Sequence, residues 1–396
     1  MGTRRKLGWV ALLYFAEGLP FGLVLDNFPV YFRLHDVSLA AIGYLSLLRA
    51  PWWAKVFWSP LVDQWGERRT WIVGALVAIA AALAAVALLP AAPVGAALLV
   101  ALLVFTTAAA TQDVAIDAYT IELLDPGEEG VANGVRVSAY RAALVAAGGV
   151  LVALAGSAGW PVTFLAAAAL FLVLAAAVAR LPATPRRGES AAEWAAAFGR
   201  WLGRPGAVPV FLFVLFYKLD VSAIGPMVKP FWVDRGLSLA EIAWISTTLG
   251  VAASVAGALV GGVLTSRWGI FTGLWSLGLL QAAANLGYAA VAWQGGGHLA
   301  IYAASLGESF ASGLGTAAFL SFLMNVCDKR QAATQYALLS ALFNLSGSVI
   351  GGASGVAVER LGYGGYFALS AAFAAPAYAL LPWVRTWIRD PDGAPP

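Results

Sequence analysis

Ser59-Pro60-Leu61-Val62-Asp63-Gln64-Trp65-Gly66-Glu67-Arg68-Arg69 is a short polar passage between two apolar runs, one over about 40 to 62 and one over about 70 to 90. Each run is roughly 20 residues or longer, enough at ~1.5 Å per residue to cross ~30 Å of hydrocarbon. The pattern repeats outward from this passage. Runs at about 8 to 33, 94 to 123, 132 to 156 and 160 to 181 complete a first set. A second set follows at about 207 to 232, 239 to 264, 271 to 293, 298 to 326, 332 to 356 and 363 to 386. The expectation is an all-α integral membrane chain with twelve transmembrane helices.

Composition agrees with lipid as the main solvent. The chain is 61% hydrophobic and 11% charged, where soluble domains carry about 25% charged residues. The basic residues behind the net charge of +3 flank apolar segments, so membrane orientation explains them and a nucleic-acid partner is not expected. Cys327 is the single cysteine, and His35 and His298 lie far apart. No disulfide framework, metal site or zinc enzyme is expected. Glu17 and Pro20 interrupt the first apolar run, which argues against a cleaved leader. Leu7 stands where a myristoylation signal after Gly2 needs Ser or Thr.

Assigning alternate loops to one side collects Arg4, Arg5, Lys6, Arg68, Arg69, Arg180, Arg186, Arg187, Arg200, Arg204, Arg267, Lys329, Arg330, Arg385 and Arg389 there, against Arg33, Arg235 and Arg360 on the other. The positive-inside rule then places both termini in the cytoplasm. Two matches recur at an offset of roughly 200 residues: Val37 to Ile42 with Leu237 to Ile242, and Gly159 to Phe164 with Gly362 to Phe367. Trp65-Gly66 also matches Trp268-Gly269. The expected organisation is two pseudo-symmetric six-helix bundles, 1–181 and 207–396, joined by a cytoplasmic linker at 182–206 with an amphipathic helix. Paralogous bundles of this kind place a solute site near the membrane midplane.

Charges inside hydrocarbon cost at least ~2.5 to 3.5 kcal/mol each, so every one needs a partner, water or a function. Glu17, Asp26, Asp113, Asp117, Asp220 and Glu308 are the candidates for proton coupling or gating. Asp113 and Asp117 share a helix face, and counting outward from the turn after span 4 pairs Arg136 with Asp117 and Arg141 with Asp113. This ladder reads either as a structural clamp or as a gate. Glu17 and Lys218 are mid-depth on repeat-related spans, either paired or binding a polar solute. Pro20 and Gly225-Pro226 are expected to interrupt those two helices. Gln112, Arg141, Lys218, Lys229, Asn285, Gln335 and Asn344 are the candidate solute contacts, with interhelical glue as the other reading of the amides. The tryptophans read as interface anchors or as platforms for a sugar ring.

The passage from Ser59 to Arg69 resembles the signature between spans 2 and 3 of the major facilitator superfamily, Gly-x-x-x-Asp-x-x-Gly-Arg-Arg. Ser59 replaces the leading glycine and Glu67 is inserted before the arginines. The second-half counterpart, Gly261 to Gly269, keeps Arg267 and lacks the acid. The resemblance implies the major facilitator fold and a cytoplasmic latch of Asp63, Arg68 and Arg69.

More local strings resemble the AmpG-like muropeptide permeases and their acetyl-CoA transporter-like relatives. They are Gly18-Leu19-Pro20, Lys55 to Asp63, Gln112 to Ala118, Tyr217-Lys218-Leu219-Asp220 and Ala333 to Ser340. This resemblance implies a monomeric importer in a bacterial inner membrane. Its driving force would be the proton gradient, with no bound cofactor, and its cargo an anhydro-disaccharide peptide from cell-wall recycling. Other cargoes of the clan, acetyl-CoA and siderophores, stay open, as does drug/proton antiport. Some members carry two further spans, so a smaller or different cargo is also open. A channel is disfavoured by the paired halves, and an embedded enzyme by the lack of a nucleophile with a base at one depth.

Overall fold

The computed structural model describes residues 2–125, 128–182, 199, 203, 205–326 and 332–388, with the side chains at 56, 63, 64, 129, 130, 246, 247, 324 and 332–344 outside the description. The surface helix expected in 182–206 falls almost wholly outside the described residues. Every described element is helical, and among the described residues eight helical stretches are long and apolar enough to cross a membrane. Large apolar side chains such as Val100, Leu103, Leu172, Val173, Leu259 and Val263 stand exposed on them. Helices apolar all round are stable with such a surface only in lipid, where each must satisfy its own backbone. Leu345–Arg385 is one 41-residue stretch that turns at Gly362, whose φ of 69° suits glycine, and so carries the last two expected spans.

By contact the chain divides into two units. Met1–Ser38, Leu48–Glu189 and Gly236–Thr248 form the first; Leu39–Leu47, Ser190–Arg235 and Leu249–Pro396 form the second. Two short arms fall in these units: Leu39–Leu47 in the second, starting within the repeated sequence Val37 to Ile42, and Gly236–Thr248 in the first, containing its counterpart Leu237 to Ile242. In the second unit the arm lies backbone to backbone on α17 (Ala332–Ala372). A Cβ at Gly355 would strike the Leu39 carbonyl, and the Ala40 amide donates to Glu359 at 2.9 Å. In the first unit the arm helix Leu239–Ala243 opens with a capping box between Ser238 and Glu241. There Leu239 packs over Gly156.

In the first unit, α1 (Thr3–Gly22) lies against α8 (Glu129–Val145). The approach is close because Gly18 and Gly22 present no side chain to Ala143 and Ala147. Past Pro20 the helix widens into a π-turn at Leu23–Asn27 before continuing as Phe28–Leu34, the local irregularity expected there. The second span is segmented: Leu39–Leu45, a 3-10 turn at Ser46–Arg49, Ala50–Ala54, a second 3-10 turn at Lys55–Phe57, then Ser59–Gln64. Pro51 and Pro60 each start a new segment, where a missing N–H costs nothing. The long helices α6 (Arg68–Leu88), α7 (Ala96–Leu123) and α10 (Trp160–Val178) back this frame.

In the second unit, α11 (Ala207–Phe216) ends at Tyr217-Lys218 and α12 (Leu219–Asp234) begins anew. The interruption expected at Gly225-Pro226 is therefore displaced. Pro226 lies inside continuous α12, with its ring against Gly351, while the break falls where Lys218 and Asp220 need backbone and side-chain partners. Helices α14 (Gly250–Trp268) and α16 (His298–Val326) meet through Gly257, Gly261 and Gly313. A Cβ at Gly261 would sit 2.7 Å from the Leu314 carbonyl, and one at Gly257 would strike the Phe310 carbonyl. Gly257→Val is accordingly expected to cost about 3 kcal/mol, read as a lower melting temperature in detergent than for Gly262→Ala, where an added Cβ meets nothing within 4 Å.

Candidate functional site

Among the described residues, one cluster of charged side chains lies deep within the helices of each unit. In the first, Tyr14 and Glu17 project from one face of α1, Asp113 and Asp117 from α7, and Arg136 from α8. Arg136 pairs with Asp117 at 2.9 Å and stacks on the Tyr14 ring at 4.4 Å, while the Tyr14 hydroxyl donates to the same Asp117 oxygen at 2.5 Å. The lower rung of the expected ladder is thus present. The upper rung is not: Asp113 pairs with Lys55 of the 3-10 turn in span 2, and among the described residues Arg141 makes no ion pair. Matching depth from the interhelical turn gave the right height but ignored rotation. Arg141 is five residues beyond Arg136, about 140° around the helix.

Glu17 lies within the electrostatic reach of Asp117, Arg136 and Lys55. Its Oε2 is sealed from solvent and, among the described residues, has no hydrogen-bond partner. Arg49 stacks beside this group on Phe21 at 5.7 Å. Gln112 is fully buried, and among the described residues both of its amide atoms lack a partner. Asp26 lies further along, in the π-turn.

In the second unit the Lys218 ammonium is spent inside its own unit. It donates to Gln281, to the Thr316 hydroxyl at 2.8 Å and to the Ser312 carbonyl at 3.3 Å. Gln281, on α15 (Ile270–Gln294), also donates its amide N–H groups to both Asp220 oxygens at 3.1 Å. Asp220 lies in the first turn of α12, where the free amides of a helix start favour a carboxylate. Asn285 bridges the Asp220 carbonyl and Ser370 at 3.4 and 3.2 Å, so it ties helices together. Glu308 stands within reach of Asp220, Lys218 and Lys229, and Lys229 lies over Trp232 at 4.3 Å.

Sequence reading passed over Tyr14, Gln281, Ser312 and Thr316. Gln281 had the same signal as Asn285 one turn away, an amide in an apolar span. Tyr14 looked like an ordinary aromatic residue, and only its spacing of three from Glu17 hinted at a shared face. The Asp63, Gln335 and Asn344 side chains lie outside the described residues.

Of the expected latch, Arg68 is buried, paired with Glu122 of α7 at 3.3 Å and donating to the Val62 carbonyl. Arg69 holds Glu67 at 2.9 Å and the Leu181 carbonyl at 3.0 Å. At the start of α1, Lys6 joins Asp125 at 2.5 Å and Glu128 at 2.9 Å. Hydrogen bonds from the Thr3 hydroxyl, the Asp125 amide and Lys6 hold the Glu128 carboxyl down at about 2, below its ordinary 4.5. A depressed carboxyl contributes stability above its unfolded value and loses it as pH falls through the folded one. The melting temperature is expected to decline between pH 4.5 and about 2, and Glu128→Gln to flatten that decline.

The family model of the Major Facilitator Superfamily matches residues 10–352. The anhydromuropeptide permease of Escherichia coli (strain K12) is 30% identical, over 93% of this chain and 78% of that protein. The putative transporter AmpG 4 of Rickettsia conorii is 28% identical over 97% of each chain. Among solved structures, a bacterial homolog of the human lysosomal transporter Spinster superposes with a TM-score of 0.80 at 15% identity, covering 98% of this chain and 99% of that one. The nucleoside transporter NupG superposes at 0.73 and 16% identity, covering 96% of this chain and 100% of that one. These two establish the fold. With the family match over most of its length and a 30% identical relative covered over 78% of its own length, the chain belongs to the Major Facilitator Superfamily, in its AmpG-like branch, and is a multi-pass secondary transporter.

Proposed function

We propose that the protein imports an anhydro-disaccharide peptide across a bacterial inner membrane, driven by protons and working as a monomer by alternating access with both termini in the cytoplasm. The cargo rests on the likeness to the E. coli permease, whose name states what it carries. Proton coupling rests on one observation above the others: Glu17 keeps an unpartnered, solvent-sealed oxygen beside Asp117, Arg136 and Lys55. Burying a charged carboxylate oxygen without a donor is costly, and a carboxyl so placed can answer by taking a proton. Arg136 and Lys55 then supply charges that compete for Glu17, Asp117 and Asp113, so a proton gained at one carboxyl redistributes the ion pairs. In symport, an inward proton gradient drives the solute inward.

The cargo is tested by melting the purified transporter with an anhydro-disaccharide tripeptide, acetyl-CoA or a ferric siderophore. A ligand held by the native state stabilises it by about 2.7 kcal/mol at a hundredfold excess over its dissociation constant. The tripeptide is expected to raise the melting temperature and the other two to leave it unchanged. Stabilisation by acetyl-CoA or the siderophore alone would refute the cargo assignment.

A further inference from the structure

Lys218 and Asp220 are opposite charges two residues apart and both buried, yet among the described residues they meet through the Gln281 amide rather than directly. All three ammonium donors are occupied by neutral acceptors: Gln281 Oε1, Thr316 Oγ1 and the Ser312 carbonyl. Thr316 gives its own hydroxyl proton to the Ser312 carbonyl at 2.6 Å, which leaves its lone pairs for Lys218. The amide has one workable orientation, because reversing it would set N–H groups against the ammonium and an oxygen against the carboxylate. Its room is reserved by Gly315, where a side chain would strike Gln281 Oε1. The other titratable groups facing Asp220 and Lys218 are Glu308, Tyr217 and Tyr378, with Lys229 facing Glu308.

We propose that Gln281 is a positioning residue that links proton occupancy of Asp220 to the freedom of Lys218 to hold a carboxylate of the solute. This rests on the proton-coupled reading above. With Asp220 ionised, both of its oxygens hold the amide N–H groups, and Oε1 stays on Lys218. A proton taken from water onto Asp220 removes the charge that fixes the amide and adds an O–H donor. The amide can then turn, Oε1 leaves the ammonium, and one Lys218 donor opens to an anionic group. Loss of the proton draws the amide back and expels that group.

The test is affinity for an anhydro-disaccharide tripeptide, read from tryptophan fluorescence at mildly acidic and mildly alkaline pH, with the melting temperature of each protein as control. Wild type is expected to bind about tenfold or more tightly in acid, within the usual range of site-to-site coupling. Gln281→Leu is expected to lose most of that ratio. Gln281→Glu keeps an acceptor on Lys218 but faces Asp220 with a second carboxylate oxygen, and is expected to lose the ratio too. Gly315→Ala pushes on an intact amide, so its reduced ratio would carry the proposal if the Gln281 variants fail to fold. Variants that keep the wild-type ratio would overturn the role of Gln281 alone. A wild type that binds equally at both pH values would overturn the proton-coupled reading, and this proposal with it.

Discussion

Asp113→Asn is expected to reduce uptake by at least about tenfold, the equivalent of about 1.4 kcal/mol, while leaving the amount of protein in the membrane unchanged. The asparagine carbonyl still accepts from Lys55, so the ammonium is not orphaned and the helices stay together. What it loses is the charge that lets the pair respond to a proton or to a competing partner. Lys55→Met is different, because it strands a half-buried carboxylate, and breaking such a pair from one side costs about 3–5 kcal/mol. That variant is expected to melt well below wild type. Lys55→Met/Asp113→Leu should regain most of the lost stability, since an apolar replacement of a buried pair is often neutral, and should still fail to transport. Restored uptake in the double variant would reduce the pair to scaffold. Measured together, the four proteins separate a structural clamp from a gate.

Glu17→Gln is expected to abolish accumulation against a gradient while sparing exchange of labelled for unlabelled solute. Glutamine matches the carboxyl in size, so packing against α8 at Gly18 is undisturbed. It cannot release a proton. Uptake should therefore stop at equal concentrations inside and out, and the initial rate under an inward acid gradient should fall by about tenfold or more. Undiminished accumulation would transfer the proton-carrying role from Glu17 to another acid, with Asp117 next in line through its shared contacts with Tyr14 and Arg136.

The fold was legible because hydropathy is a local property that lipid reads directly. The run of apolar spans, the offset between Val37-to-Ile42 and Leu237-to-Ile242 and the Ser59-to-Arg69 passage each needed only neighbouring residues. The site was legible in its members more than in its bonds. Asp117 and Arg136 were paired because they flank one short turn, which fixes depth. Asp113 was misassigned because its partner comes from another span, where Lys55 opens the 3-10 turn between Pro51 and Pro60. The break in span 7 was misplaced for a related reason. Proline is a strong breaker in isolation, but Gly351 makes room for Pro226, while the helix breaks at Tyr217-Lys218, beside the buried Lys218 and Asp220. Gln281 escaped notice because a bridging amide reveals itself only once both charges it touches are placed.

Coupling requires that solute and proton cross together. It is tested most directly by adding an anhydro-disaccharide tripeptide to a lightly buffered suspension of proteoliposomes, with no imposed gradient, and following external pH. Entry of the peptide accompanied by alkalinisation outside, absent in Glu17→Gln, is the expected result. Peptide entry into wild-type vesicles with no change in external pH would contradict it.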